Sequence, residues 1–459
     1  VEAEEGAFAN CPAEFGSDPN FPNSRNRGFC RYRFAADAGQ TAAVSRDTLS
    51  VGGNYKLADS LDAFARLPST RAESFGRFAA APVTNGLLIR PNNPNNPSIG
   101  NPDCNSVATE GCELTIFFRP TDNGTRDNTV VDTVNQFLGG VKGDVEWMGY
   151  SNWEVGVFHN RYLQREIGSG YGLVRELQQA VDNGEYNPFD TTDPNNSGRS
   201  FAHTITSNNA FISQGFDAQI SLANVAEGWL DMPLPVVVGG EYRNEDFQTI
   251  SDAQSAQSIA FDAAGNITNF VESNVFGSAG GSAQGARDYY GIYSETALDF
   301  FERKLNVGVA VRYDSYSLGG SRTSPKLSLG YRPNDSILLR TSISKGFRAP
   351  DLASLFGSPS QSFEDAVDRV GCLNPAIPDP VEACDVNQRK TAFDSNPTLK
   401  PEKSDNLSFG VVYDVMQDLS LTFDLYRIEL QDAITSLSVQ AVLDNELRCQ
   451  QQSRRCDPF

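Results

Sequence analysis

Apolar and polar residues alternate along most of this chain. In Val307-Gly-Val-Ala-Val-Arg-Tyr313 the odd positions are apolar and the even ones small or charged. Ile337, Leu339, Thr341 and Ile343 alternate with Leu338, Arg340 and Ser342. Phe409, Val411, Tyr413 and Val415 alternate with Ser408, Gly410, Val412 and Asp414. Leu419, Leu421, Phe423 and Leu425 alternate with Ser420, Thr422, Asp424 and Tyr426. A period of two with one apolar face is the mark of half-buried antiparallel strands. It predicts about twelve of them, at 47–57, 60–78, 127–143, 145–166, 205–226, 230–250, 285–301, 303–317, 321–333, 335–347, 402–416 and 418–433.

The connections alternate as well. KLADS, GDVEW, AEGWLD, FERK, RPNDS and VMQDL read as tight turns, whereas 79–126, 167–204, 251–284, 348–401 and 434–459 are long, with Leu318-Gly-Gly-Ser321 the short exception. Short turns on one side and long loops on the other are the wiring of an antiparallel transmembrane β-barrel, and a soluble sandwich has no reason to keep that asymmetry. Tyr55, Trp147, Trp229, Phe300, Phe301, Tyr331 and Tyr413 lie beside the tight turns, where amphipathic rings form a girdle at a membrane interface. The other reading of these rings is strand capping in a soluble β protein. One segment departs from period two: Tyr171–Val181 has helical spacing, with Leu173, Val174, Leu177 and Val181 on one face, and is expected as a short helix within an outer loop packed on its neighbours.

At 459 residues the chain is long for one ordinary domain, but large β architectures grow by adding strands. Gly is 39, Phe 29 and Tyr 15 against 3 Met, a balance that favours strand over helix. The formal charge of -21 leaves no net basic field for a nucleic acid. There is no apolar run long enough for a transmembrane helix, and a mean hydropathy of -0.38 is compatible with a barrel whose lipid face uses every second residue. The start, Val1-Glu-Ala-Glu-Glu5, has neither an initiator Met nor a signal peptide and reads as a missing beginning.

The eight cysteines fall into local couples, expected as Cys11–Cys30, Cys104–Cys112, Cys372–Cys384 and Cys449–Cys456, although other connectivities remain open. Each couple falls on the long-loop side or in a flank leading to it, so a disulfide reading places all of them in one oxidising compartment. No Cys-x-x-Cys spacing or neighbouring His supports zinc, and no metal site is expected.

Two segments carry a resemblance. Gly346-Phe347-Arg348-Ala349-Pro350 with Leu352, followed by Asn396-Pro397-Thr398-Leu399-Lys400-Pro401-Glu402-Lys403-Ser404, resembles the paired signature of TonB-dependent outer-membrane receptors. Arg287–Glu295, Gly239–Arg243 and Tyr186–Phe189 are similar to other parts of that family's barrel, so the likeness runs from about residue 45 to the end. It implies a barrel of about twenty-two strands closed by an N-terminal plug. Neither the plug nor the TonB box is visible here, so the chain is expected to be an internal part of a larger protein, residues 1–459 forming a partial barrel. Five strands before and five after the twelve would complete about twenty-two. The chain is expected in the bacterial outer membrane, with the cysteine-bearing loops outside. Its implied partners are its own plug and remaining strands, the TonB–ExbB–ExbD complex, the membrane lipid and lipopolysaccharide, and a small or oligomeric ligand.

Catalysis finds little support. His159 lies on a strand row after Trp153, Val155 and Val157, and His203 lies at a loop end; neither is expected as a ligand or base. The glycine-rich 277–285 run lacks the context of a nucleophile elbow. Asp190-Thr-Thr-Asp193-Pro-Asn-Asn-Ser-Gly198 lacks EF-hand spacing and reads as a solvated turn, with Ca²⁺ the lesser alternative and no other cofactor implied. Alternation places Arg312, Asp314, Lys326, Arg332, Arg340, Glu295 and Asp299 on the non-lipid face. The resemblance turns Arg348 and Glu402 inward too. Arg348, Glu402, Arg340 and Arg312 are thus candidate contacts to the plug or ligand path, Glu402 to a plug arginine; for Glu402 the competing reading is a strand-end hydrogen bond that guides the chain back into the sheet. The expected function is energised import of a scarce ligand. A passive porin and a surface binding or adhesion protein are the alternatives.

Overall fold

In a computed structural model of the chain, residues 37–451 are described apart from 84–85, 102–103, 105–108, 191–195, 197, 227–228, 230–231, 262–266, 279, 374–383 and 385, together with 15–16 and 31–32. Twelve strands form one antiparallel meander. They are β1 Ala43–Ala58, β2 Leu61–Phe78, β3 Arg126–Glu146, β4 Tyr150–Leu173, β5 Ala202–Leu222 and β6 Val236–Ser251. The series continues with β7 Ala283–Phe300, β8 Leu305–Tyr316, β9 Ser321–Asn334, β10 Ile337–Arg348, β11 Glu402–Met416 and β12 Leu419–Gln431. Each pairs with its chain neighbours, and Val275–Phe276 adds a short pairing to the end of β4.

Register separates the two faces. Val157, Phe216, Tyr242 and Tyr290 stand side by side across β4 to β7, each 37–52% exposed. A water-facing surface rarely carries a contiguous apolar band of this kind, whereas a lipid-facing one requires it. At the level of this band the opposite face carries the charges. Among the described residues β1 and β12 pair on one side only, and both are exposed along their whole length.

Two sequence expectations change here. The link between β5 and β6 is no tight turn: β6 starts at Val236, and Trp229 stands 91% exposed inside the connection rather than beside a strand. Strand β4 runs to Leu173 because Gly168–Tyr171 form a bulge that lets pairing with β5 resume at Tyr171 and Gly172, so the helix α1 spans only Val174–Asp182. β10 runs to Arg348, one residue past the expected end at 347. Gly346, Phe347 and Arg348 stay paired to Ser404, Lys403 and Glu402, because glycine leaves room where a Cβ would lie 2.8 Å from the Ser404 hydroxyl. The described residues of the long connection after β10 carry structure of their own. They hold α2 (Leu352–Phe356), a hairpin of Ser360–Ala366 with Asn387–Phe393, and α3 (Arg369–Cys372).

The buried core lies in the long loops, not in the sheet. Leu177, Ala180 and Val181 of α1 pack with Ala81, Val83, Leu87, Ile89, Tyr186, Phe201 and Phe276. The Gln178 amide pairs with both backbone groups of Leu88, at 3.0 and 2.7 Å, as a strand neighbour would. Leu173 offers no cap to α1; Asn274 supplies one, its carbonyl accepting from Val174 N–H at 2.7 Å and its side chain from Arg175 N–H at 3.1 Å. Three long loops therefore fold as one module above β2 to β5. Disulfides Cys104–Cys112 and Cys372–Cys384 close two loops. Cys449, near the end of α4 (Val439–Gln451), is buried; its expected partner Cys456 and the Cys11–Cys30 couple lie outside the described residues.

Candidate functional site on the polar face

Alternation on β6 aims Glu241, Arg243 and Glu245 at the polar face, and register brings them beside Arg287 and Tyr289 of β7 and Arg312 and Asp314 of β8. Arg287 Nε donates to Glu245 at 2.7 Å, and its guanidinium lies 4.7 Å from the Tyr316 ring centre. Arg312 Nε donates to Asp314 at 2.8 Å, and its Nη2 meets Glu241 and the Tyr289 hydroxyl. That hydroxyl lies 2.8 Å from Glu241 and 2.7 Å from Asp314. Arg243 Nη2 donates to Glu241 at 3.2 Å, and its guanidinium stacks over Tyr289 and Phe158 at 5.5 Å. Three arginines thus meet three carboxylates. Such balance is required because Glu245, Tyr289 and Asp314 are 4–7% exposed, and a buried charge without a partner costs several kcal/mol.

The segment after β10 folds onto this network. Arg287 Nη1 donates to the Pro350 carbonyl. Asp351 caps α2 through Ser354 N–H at 2.7 Å, and Leu352 and Leu355 are buried. The Phe356 ring lies against Gly285 of β7, where a Cβ would come within 2.1 Å of it, so the glycine is what admits α2. Asn396 N–H donates to the Ser354 carbonyl at 2.9 Å, joining the return segment to α2. Asn396 also accepts from Thr398 N–H and Oγ1, at 2.9 and 2.7 Å, forming a turn just before β11.

Register then sets Arg348 opposite Glu402. Arg348 Nε and Nη2 grip both Glu402 oxygens at 2.6 and 2.9 Å, and Ile434 N–H donates to the same carboxylate at 2.7 Å. Beside them opens a recess of about 490 Å³, lined by Arg287, Tyr289, Arg312, Asp314, Tyr316 and Arg348. Phe347 meets Tyr316 edge-on at 6.2 Å. Arg340 lies apart: it reaches across Gly410 to Asp424 of β12 at 2.7 Å, in a pair half exposed at both ends.

Of the sequence candidates, Arg312, Arg348 and Glu402 flank or line one site and Arg340 does not. Glu241, Arg243, Glu245, Arg287 and Tyr289 were not singled out. Their signal was charge at alternate positions in Gly239–Glu245 and Arg287–Glu295, legible only once the polar face is assigned. His159 lies on the apolar face, 3.2 Å from Gln214. His203 meets Asp252 at 3.0 Å in the loop module. Burial works against the Asp252 carboxylate, but hydrogen bonds from His203, Ser255 and two backbone N–H groups hold it below the ordinary carboxylate range. The remainder of the Asp190–Gly198 turn largely lies outside the described residues.

No curated protein matches the chain. Among solved structures it is similar to the siderophore receptor PirA from Acinetobacter baumannii (15% identity, TM-score 0.49, 86% of this chain and 44% of that one). It is also similar to a variant of the ferric enterobactin receptor PfeA from Pseudomonas aeruginosa (13%, 0.35, 88% and 55%). The RagAB peptide transporter is a third (12%, 0.48, 87% and 42%). The chain spans about half the length of these structures. The family described as TonB dependent receptor-like, beta-barrel, matches residues 113–454, which is most of the sequence and includes every residue of the polar-face site. The chain belongs to the TonB-dependent receptor β-barrel family.

Proposed function

We propose that the working receptor imports a scarce ligand across the bacterial outer membrane and is driven by the TonB–ExbB–ExbD complex. The family comprises receptors and transporters rather than enzymes, and the apolar band suits a lipid face. Further strands pair with β1 and β12, since open edges in hydrocarbon would leave backbone groups unsatisfied at several kcal/mol each. A plug fills the lumen, and the outer loops capture the ligand.

The observation that carries a gated reading is the polar face itself. Its charges are neutralised in a compact network, and the Gly346–Pro350 segment folds over that network rather than away from it. A water-filled porin gains nothing from such a covered, paired wall. In this reading Arg348, Glu402 and Arg312 face the plug, and the recess beside them receives a plug loop; Glu402 meets a plug arginine when its bond to Arg348 is exchanged. The test is uptake by the full-length receptor with Glu402→Gln. Energised uptake should fall while surface binding of ligand persists. Unchanged uptake would remove Glu402 from the gate.

A further inference from the structure

The apolar face has an outer limit, and what lies beyond it differs from strand to strand. On β10, β11 and β12 the first outward charges past the apolar rows are Lys345, Asp405 and Arg427. Cations at this level neutralise themselves within the chain. Lys345 pairs with Asp405 at 3.4 Å, Lys403 with Asp432 at 2.6 Å, and Arg427 with Glu429. On β2, Arg71 pairs with Glu73 at 2.8 Å and Arg77 with Asp127 at 2.6 Å. Strand β4 departs from the pattern. Its outward row runs Trp153, Val155, Val157, His159, Arg161, Leu163, Arg165. Arg161 and Arg165 are exposed, and neither side chain has an ion-pair or hydrogen-bond partner among the described residues.

Their depth can be worked out. With a rise of about 3.3 Å per residue and a tilt of roughly 40°, Arg161 stands about 20 Å and Arg165 about 30 Å along the barrel axis from Trp153. A lipid-facing band is about 25 Å tall, so Arg161 stands about 5 Å inside its outer edge and Arg165 about 5 Å beyond it. From either position the long arginine stem carries its guanidinium to the headgroup level by snorkelling. Register sets Arg161 beside Asn135 and Ile212, and Arg165 beside Val131 and Asn208. The outward acid nearest across the sheet, Asp246, is opposite Ile212 and so lies two strands from Arg161, about 10 Å away. Glu73, opposite Val131, is taken by Arg71. Two unpaired guanidinium forks about 13 Å apart on one strand therefore face the headgroup layer.

We propose that Arg161 and Arg165 bind phosphate groups on the headgroup of the outer-leaflet glycolipid, holding one such lipid against β4. Guanidinium suits this role because its planar fork takes a phosphate bidentately. The assignment rests on the outer-membrane reading above. The experiment uses the full-length receptor extracted from membranes and incubated with a phosphorylated outer-membrane glycolipid, its enzymatically dephosphorylated form, or phosphatidylglycerol, with bound lipid counted by native mass spectrometry. Wild type should retain the phosphorylated glycolipid above the other two. Arg161→Gln/Arg165→Gln should lower that retention about 30-fold, roughly fivefold per arginine, and Arg161→Lys/Arg165→Lys should recover part of it. Equal retention of phosphorylated and dephosphorylated glycolipid by wild type would overturn the proposal without any variant. So would equal competition by phosphatidylglycerol, or unchanged retention by a double Gln variant that still shows the gel shift of a folded barrel. A receptor absent from the outer membrane would instead sink the placement, and the two failures are told apart by fractionation.

Discussion

Arg287→Ala removes the cation that joins the sheet to the segment after β10. Arg287 and Glu245 are each about 10% exposed at the side chain, 2.7 Å apart, and Arg287 also supplies the hydrogen bond to the Pro350 carbonyl. Without it Glu245 keeps only Arg243 Nη1 at 3.7 Å, too far for a hydrogen bond. Breaking a buried pair from one side costs about 3–5 kcal/mol. The half-exposed Arg340–Asp424 pair provides the contrast: Arg340→Ala should cost about 0–1 kcal/mol, although its geometry is equally good. Chemical unfolding of the full-length receptor in detergent micelles measures both. The double variant Glu245→Leu/Arg287→Met should recover most of the loss, because it removes both charges together. If Arg287→Ala cost no more than Arg340→Ala, the polar-face network would be an ordinary solvated surface and the argument from burial would be wrong.

Three further outcomes follow from the loops. Gln178→Ala strips the partners from Leu88 N–H and C=O, at about 1–3 kcal/mol for each group left buried, so amide exchange in Leu87–Ile89, which pairs with Leu114–Ile116, should quicken while β7 to β10 stay protected. Asp252 is favoured as the carboxylate in the folded loops, so its stabilisation is complete above the unfolded pKa of about 3.9 and is lost as pH falls through the lower folded value. Protease nicking of residues 252–282 should therefore rise below about pH 4, and Asp252→Asn should remove that pH dependence while raising nicking at neutral pH. Gly285→Val places a side chain where the Phe356 ring lies, and should displace α2, seen as new protease cleavage near residues 352–358 in an otherwise folded barrel. Protection unchanged by Gly285→Val would mean that α2 does not rest on β7.

The meander was legible because lipid on one side and a polar wall on the other impose period two on every strand. Boundaries were less legible at the outer ends. Ile167–Leu173 of β4 has glycine at 168, 170 and 172, which weakens a strand and reads along the chain as a flexible link. The candidate site was half legible. Arg348 and Glu402 belong to segments recognisable along the chain, although their pairing to each other depends on β10–β11 register. Arg312 and Glu241 lie 71 residues apart, and only the registers of β6, β7 and β8 bring them together. The inward course of α2 was missed for a further reason: Gly346 and Pro350 signal that regular pairing changes but not in which direction the chain turns. That direction is set by contacts with Gly285 and Arg287, some sixty residues earlier.

Uptake by whole cells separates energised import from its alternatives. Cells carrying the full-length receptor would be given labelled ferric siderophores and labelled peptides in turn, with and without a protonophore and with and without TonB. A ligand held at the surface in all conditions should accumulate inside only when the proton-motive force and TonB are both present. Accumulation that persists without either would identify a passive channel, and surface binding that never leads to uptake would identify an adhesion or binding protein.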